Sequence, residues 1–325
     1  MKLMTIIQDG RQRLAAVVGD ELLVFAAAAP ALPAAAELPA TLRGLLEAGA
    51  DGQDRLARLV GQATEGSDVL RQRLRETGAL LPRDAVQAAA PIPRPGMIVA
   101  GSMNFRAHLA EMKNTPVPAE PTAFLKSPHA VVGSGTPIRL PPDAPDMVDF
   151  EGEFCCVIGR ECHDVPLDRV MDHIAGYTLI NDVSARDWVS PVFAATGIMG
   201  PILAWERNIM GKQFPTFCPM GPVLVTRDAI PDPAALRIET RVNGTVLQSA
   251  ALSDLIFGVD RLVHHFARRY RLMPGDLVTV GSPAGVGFGR NPQIFLKPGD
   301  RVEVEVAEIG TLTNPVISAE PALQG

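Results

Sequence analysis

The segment VDFEGEFCCVIG, residues 148–159, has the composition of a buried β-strand but opens with acids where such a strand needs apolar side chains. In an extended chain successive side chains point to opposite faces. Asp149, Glu151 and Glu153 therefore share one face with Cys155 and Val157, while Phe150, Phe154, Cys156 and Ile158 take the other. Glu151 and Glu153 stand about 7 Å apart along the backbone, and at an effective dielectric of about 20 their charges repel by about 2.4 kcal/mol. A positive partner is expected between them. The same spacing recurs in RVEVEV, residues 301–306, but there Glu303 and Glu305 alternate with Val302, Val304 and Val306, the pattern of a strand with one wet face.

The chain has 325 residues, of which 47% are hydrophobic and 20% charged, a balance that suits one large globular domain or two. A net charge of −6 with no cluster of Lys and Arg argues against nucleic acid or an anionic membrane as partner. The start, MKLMTIIQDGRQ, breaks at Gln8, Asp9 and Gly10, too soon for a secretory segment, and a cytoplasmic location is expected. The most apolar stretch, FAAAAPALPAAA, is Ala and Pro rather than a run of Leu, Ile and Val, so it reads as a connector and not as a membrane span. Cys155, Cys156, Cys162 and Cys218 lack C-x-x-C spacing and read as small buried hydrophobes rather than zinc ligands or a disulfide framework.

Three short strands, LMTII, RLAAVV and ELLVF, form an expected meander. Helical patterns follow at Leu42, Leu45 and Leu46, at Leu56, Leu59 and Val60, and at Leu70 and Leu74 behind a Ser67 cap. PIPRPG, residues 91–96, reads as a boundary between a small N-terminal α/β domain (1–90) and a larger domain (91–325). In the larger part, a helix is expected with Leu167, Val170, Met171 and Ile174 on one face, then a strand YTLIN, and a second helix through DLIFGVDRLVHHFARRY. Helices and strands do not alternate regularly, so the fold class expected is α+β and β-rich rather than doubly wound.

Asp182 closes the YTLIN strand and offers a third carboxylate beside Glu151 and Glu153. Three carboxylates without paired His or Cys form a hard-oxygen set that suits Mg²⁺ or Mn²⁺, with Ca²⁺ also compatible, rather than Zn²⁺. Spacing alone leaves a salt-bridged surface open as the plainer alternative. His108 and Glu111 share a helix face at i, i+3, in themselves an ordinary solvated pair. The adjacent His264 and His265 cannot form a one-face metal pair and are read as structural, and VGSPAGVGFG reads as a tight turn, not a dinucleotide loop.

Five segments, VDFEGEFCCVIG, GYTLINDVSARD, GKQFPTFCPMGP, GDLVTVGSPAGVG and LKPGDRVEVEVAEIGTLTNPV, resemble in order the signature segments of the fumarylacetoacetate hydrolase superfamily. The resemblance implies a mixed β-sheet roll, a divalent cation on Glu151, Glu153 and Asp182, and a homodimer. It further implies a water-activating dyad of His108 and Glu111, a catalytic Lys212 near a developing oxyanion, and substrate-binding roles for Lys126, Arg186 and Ser282. The chain departs from the family pattern at several positions. Phe105 stands where Tyr is frequent, Ala107 where Asp is common, Trp188 and Val189 where many relatives carry a substrate-binding Gln, and Ser282 where many carry Thr.

The implied activity is metal-dependent hydrolysis of a carbon–carbon bond in a 2,4-dioxo acid, as in an acylpyruvase, on a small-molecule 2-oxo acid substrate. The same chemistry serves oxaloacetate-type decarboxylation, 2-oxo-4-enoate hydration and keto–enol isomerisation, and a noncatalytic metal-binding homolog is the alternative of another class. The apolar interval from Trp188 to Met210 is expected to form a lid or pocket wall, with Val192, Phe193, Ile198, Met199 and Leu203 favouring an apolar acyl group.

Overall fold

The computed structural model describes residues 1–111, 116–189, 197 and 199–318. The meander forms as expected from β1 (Lys2–Gln8), β2 (Arg11–Val18) and β3 (Glu21–Val24), paired antiparallel in chain order. The Ala and Pro stretch is more than a connector. It makes α1 (Phe25–Ala28) and a 3-10 turn, Pro33–Glu37, burying Phe25, Ala28, Leu32 and Ala35. The helical patterns become α2 (Leu42–Glu47), α3 (Gly49–Glu65) and α4 (Asp68–Glu76). Thr41 and Ser67 cap α2 and α4 by accepting the N–H of Gly44 and Leu70 on their side-chain oxygens. Then come β4 (Leu80–Pro82) and β5 (Gln87–Ala88).

Beyond the irregular residues 91–97 lie β6 (Ile98–Ser102), α5 (Arg106–Glu111), β7 (Thr122–Leu125), β8 (Val131–Val132) and β9 (Ile138–Arg139). The centre holds β10 (Val148–Asp149), β11 (Gly152–Ile158), β12 (Ile174–Asn181) and β13 (Ser184–Ala185). The rest comprises α6 (Met199–Met210), β14 (Cys218–Thr226), β15 (Arg237–Val242), β16 (Thr245–Ala251), α7 (Val259–Ala267), β17 (Leu277–Thr279), β18 (Arg301–Val306) and β19 (Gly310–Ile317).

One twelve-stranded mixed sheet runs in the order β4-β3-β2-β1-β14-β12-β11-β17-β6-β7, with β5 beside β1 and β8 beside β14. A five-stranded sheet runs β16-β15-β18-β19-β9, and β10 pairs with β13. The large sheet crosses the expected boundary at residues 91–96, because β1 pairs with β14 through Lys2↔Val225 and Leu3↔Leu224.

β11 is buried along its whole length, which its sequence requires, since both faces are apolar after Glu153. Phe154, Cys156 and Ile158 join a core with Ile238, Val304 and Leu312 of the five-stranded sheet and Leu262 and Phe266 of α7. Cys155 and Val157 face the other way, into a core with Leu42, Leu45, Leu56 and Leu59 of the N-terminal helices. All four cysteines are free and buried, and burial raises their thiol pKa values.

Two expected helices differ. Residues 167–173 form a 3-10 helix with Val170 buried, Leu167 exposed and Ile174 already in β12, because an apolar i, i+3 spacing fits a three-residue turn as well as an α-turn. The second shortens to α7, which starts after Gly258 at its N-cap, while Leu252–Asp254 makes a separate 3-10 turn.

Candidate active site

The acidic strand is two strands. β10 ends at Asp149, Phe150 and Glu151 leave the ladder, and β11 starts at Gly152. A Cβ at residue 152 would lie 2.1 Å from Thr240 Oγ1, so the crossing needs glycine there. Across the break, Glu151 and Asp182 meet at the ends of neighbouring strands. Asp182 N–H donates to the Glu151 carbonyl at 2.8 Å, and Glu151 N–H donates to Asn181 Oδ1 at 2.9 Å. The carboxylates of Glu151, Glu153 and Asp182 thereby converge, with one oxygen from each within 4.8 Å of the others.

The expected positive partner is present, but not between Glu151 and Glu153. Lys212 Nζ donates to Glu151 Oε2 at 2.9 Å and to Asp182 Oδ2 at 2.6 Å. Arg186 donates through Nη2 to Glu151 and through Nε and Nη2 to Asp149 Oδ2 at 3.3 and 3.2 Å. Burial raises the Glu151 carboxyl pKa, yet the Lys212 and Arg186 charges outweigh it and hold the group well below the usual carboxylate range. Glu153 behaves oppositely. Burial, then the charges of Asp182 and Glu151, push its carboxyl well above its ordinary value, and its Oε2 has no hydrogen-bond partner. A buried carboxylate oxygen without a donor, facing two other carboxylates, fits a divalent cation coordinated by Glu151, Glu153 and Asp182.

Asp149 sits behind this centre, its pKa raised chiefly by burial, and takes the N–H groups of Gly287 and Phe288 at 2.7 and 3.2 Å. It joins the cavity wall to the turn read from VGSPAGVGFG. Its place on the acidic face was legible, but its role in holding Arg186 was not.

A cavity of about 670 Å³ opens onto the centre and is lined by eight of the nine expected site residues: His108, Glu111, Glu151, Glu153, Asp182, Arg186, Lys212 and Ser282. Lys126 is the ninth and does not line it. Its ammonium is buried against Asp182 Oδ1 at 2.6 Å and the Lys212 carbonyl at 2.5 Å, where it braces a carboxylate of the centre.

His108 and Glu111 do share a face of α5, with Nδ1 and Oε2 3.3 Å apart. Glu111 also accepts the Gly285 N–H at 2.9 and 3.1 Å, where φ is +102° and a Cβ would lie 2.1 Å from the Leu247 carbonyl, so glycine is required. α5 is docked at its start by Asp254, which accepts the Ala107 N–H at 3.0 Å, and by Arg106, which donates to the Asp254 and Leu255 carbonyls at 3.1 and 2.7 Å. Ser282 Oγ accepts from Gln248 Nε2 at 2.8 Å. Nothing in the sequence marked Asp254 or Gln248, both on distant segments.

Of the expected wall, Val192, Phe193 and Ile198 and the side chain of Met199 lie outside the described residues, and Leu203 is exposed and does not line the cavity. α6 does form part of the wall, but through Gly200, Pro201, Ala204, Trp205 and Asn208. Asn208 accepts from Arg186 Nη1 at 2.8 Å, and its place four residues before Lys212 was the unread signal.

The fumarylacetoacetate (FAA) hydrolase C-terminal family model matches residues 97–317. The chain belongs to the fumarylacetoacetate hydrolase family. It is 40% identical over 257 residues to the bovine protein named oxaloacetate tautomerase FAHD2A, mitochondrial, covering 79% of this chain and 77% of that one. It is 36% identical over 233 residues to oxaloacetate tautomerase YisK of Bacillus subtilis (strain 168), covering 71% and 73%. The fumarylacetoacetate hydrolase from psychrophilic Exiguobacterium antarcticum superposes with a TM-score of 0.73 at 27% identity, covering 98% of this chain and 99% of that one. The maleylpyruvate hydrolase of Sphingobium sp. SYK-6, solved with manganese (II) ion and pyruvate, shares the fold with a TM-score of 0.67 at 24% identity, covering 98% and 100%. The family's enzymes thus include tautomerases and hydrolases, and these relatives favour the oxaloacetate alternative over the hydrolase expectation. Among the described residues no helix is long and apolar enough to cross a membrane.

Proposed function

We propose that this protein catalyses keto–enol interconversion of a small 2-oxo acid of the oxaloacetate class, with a divalent cation on Glu151, Glu153 and Asp182. The observation that carries this reading is the similarity to oxaloacetate tautomerases of an animal and a bacterium over more than seventy per cent of each chain. It replaces carbon–carbon hydrolysis as the leading activity.

The charge balance supports an anionic substrate. Asp149, Glu151, Glu153 and Asp182 face Lys126, Lys212 and Arg186, four acids against three cations, for a net charge of −1 when all are ionised. A bound divalent ion turns that into +1 and supplies Lewis-acid polarisation of the 2-oxo oxygen. The Phe124 and Phe288 rings back Lys212 and Arg186 at 5.4 and 5.7 Å and keep these cations partly dry, which strengthens their pull on a carboxylate.

His108 moves the proton. Glu111, an acceptor, engages Nδ1 and leaves Nε2 as the base on a side chain that lines the cavity. At Nε2 it removes a proton from C3 of the keto form; the C3–H pair becomes the C2=C3 bond, the C2=O π pair moves to oxygen, and that oxygen takes up a proton. The reverse sequence converts enol to keto. Lys212 keeps positive charge beside the oxygen that gains electron density.

The test is a comparison, with one metal, of the decay of oxaloacetate enol absorbance against cleavage of a series of acylpyruvates. Faster enol decay and slow cleavage along the whole series are expected. Efficient cleavage that improves with acyl chain length would return the hydrolase reading.

A further inference from the structure

We propose that Asn208 is a specificity-determining residue that binds the distal carboxylate of a dicarboxylic 2-oxo acid, an inference that rests on the reaction class proposed above. Asn208 on α6 and Arg186 beyond β13 both line the cavity, and Arg186 Nη1 donates to Asn208 Oδ1 at 2.8 Å. A guanidinium carries five N–H groups and no acceptor, so Asn208 must present its oxygen to Arg186. That fixes the amide. Its NH₂ end is turned away from Arg186 and has no hydrogen-bond partner among the described residues.

The guanidinium is itself oriented. Nε and Nη2 are taken by Asp149 and Glu151, and one Nη1 hydrogen by Asn208, which leaves a single Nη1 hydrogen uncommitted among the described residues. Arg186 therefore spans from the acidic centre, where Nη2 meets Glu151, to Asn208 at its Nη1 end. The uncommitted donors, one from Nη1 and two from the Asn208 amide, belong to two side chains that both line the cavity. Donors in a partly dry wall require acceptors. The acceptor that offers several lone pairs at once is a carboxylate.

With the 2-oxo carboxylate at the acidic centre, that second carboxylate is the far end of a four-carbon diacid. The described wall of α6 is otherwise Gly200, Pro201, Ala204 and Trp205, which provides shape but no other charge. An apolar wall would leave the second carboxylate unpaired, whereas the Arg186–Asn208 pair supplies donors and keeps the wall neutral where Asn208 stands.

The experiment compares Mg²⁺-loaded wild type, Asn208→Leu and Asn208→Asp with two ligands, oxaloacetate and its 4-ethyl ester, reading Kd by calorimetry and kcat/KM by enol absorbance. Oxalate, which has no distal group, controls for the integrity of the centre. Asn208→Leu is expected to weaken the diacid about tenfold or more, to leave the ester within about twofold, and to leave oxalate inhibition unchanged. Asn208→Asp is expected to penalise the diacid more than Leu does, by like charge. Equal weakening of diacid, ester and oxalate would show that Asn208 only steadies Arg186, and no weakening of any would remove it from recognition; either result overturns the proposal. Wild type that binds the diacid without tautomerising it would overturn the reaction assignment alone, since the diacid-to-ester Kd ratio still decides the role of Asn208.

Discussion

The ammonium of Lys126 lies 2.6 Å from Oδ1 of Asp182, with both side chains almost wholly buried, while Lys212 holds Oδ2 of the same carboxylate at 2.6 Å. Asp182 is thus clamped between two lysines on separate segments, and each lysine fixes the other, because Lys126 also donates to the Lys212 carbonyl. Replacing Lys126 by Met keeps the volume and removes the charge. The loss of one partner from a buried pair costs about 3–5 kcal/mol, with Lys212 left to offset part of it. Thermal unfolding of Lys126→Met should therefore show a clear drop in Tm. A Tm equal to wild type would mean that Asp182 is satisfied by Lys212 alone.

The lone Oε2 of Glu153 gives a prediction with two signs. Glu153→Gln removes a buried carboxyl whose Oε2 lacks a donor, so the metal-free protein should be as stable as wild type or more so. The Tm rise caused by Mn²⁺ or Mg²⁺, which follows from mass action on the folded state, should shrink sharply in the same variant. Differential scanning calorimetry with and without metal measures both. A metal-induced rise as large as in wild type would remove Glu153 from the cation site.

His108→Ala should lower kcat by about 10² or more, because the base acts in the transition state. It should leave the metal-induced Tm rise intact, since no cation ligand is touched. Glu111→Gln should lower kcat less, as a glutamine oxygen can still accept from Gly285 and from His108. Steady-state kinetics beside the thermal measurement separates the two roles; a lost metal response in His108→Ala would reassign the histidine to the cation.

Leu56 of α3 is buried in the core that also contains Cys155, Val157 and Leu224 of the large sheet. Leu56→Ala should cost about 2–5 kcal/mol and lower the Tm of one cooperative transition. Val69, 79% exposed on α4, is the control whose change to Ala should be near neutral. Two separated transitions would show that the first 90 residues unfold as a domain of their own.

Much of this arrangement could be read from residue order, where the physics is local. The meander, the cap at Ser67, and the alternation of Phe154 and Cys156 against Cys155 and Val157 follow from periods of two and 3.6 and from side-chain chemistry. Glu151, Glu153 and Asp182 could be grouped because a strand end and its neighbour's end meet. The break at Phe150 and Glu151 could not, since it depends on Thr240 lying against Gly152 from another sheet. The buried partners of Lys126 were hidden for the same reason: its ammonium is placed by Asp182, 56 residues away. Within α6 the residues turned to the cavity were not legible from apolar composition, because the face is set by spacing, which selects Ala204 and Asn208 rather than Leu203.

The proposed reaction is proton transfer at C3 without carbon–carbon cleavage. It is tested most directly by following oxaloacetate in D₂O by NMR with metal-loaded protein. Accelerated deuterium incorporation at C3, with pyruvate formation no faster than in the metal-only control, is the predicted result, and His108→Ala should slow the incorporation. Pyruvate released faster than the control, with C3 exchange unaccelerated, would contradict the account and assign the site to decarboxylation.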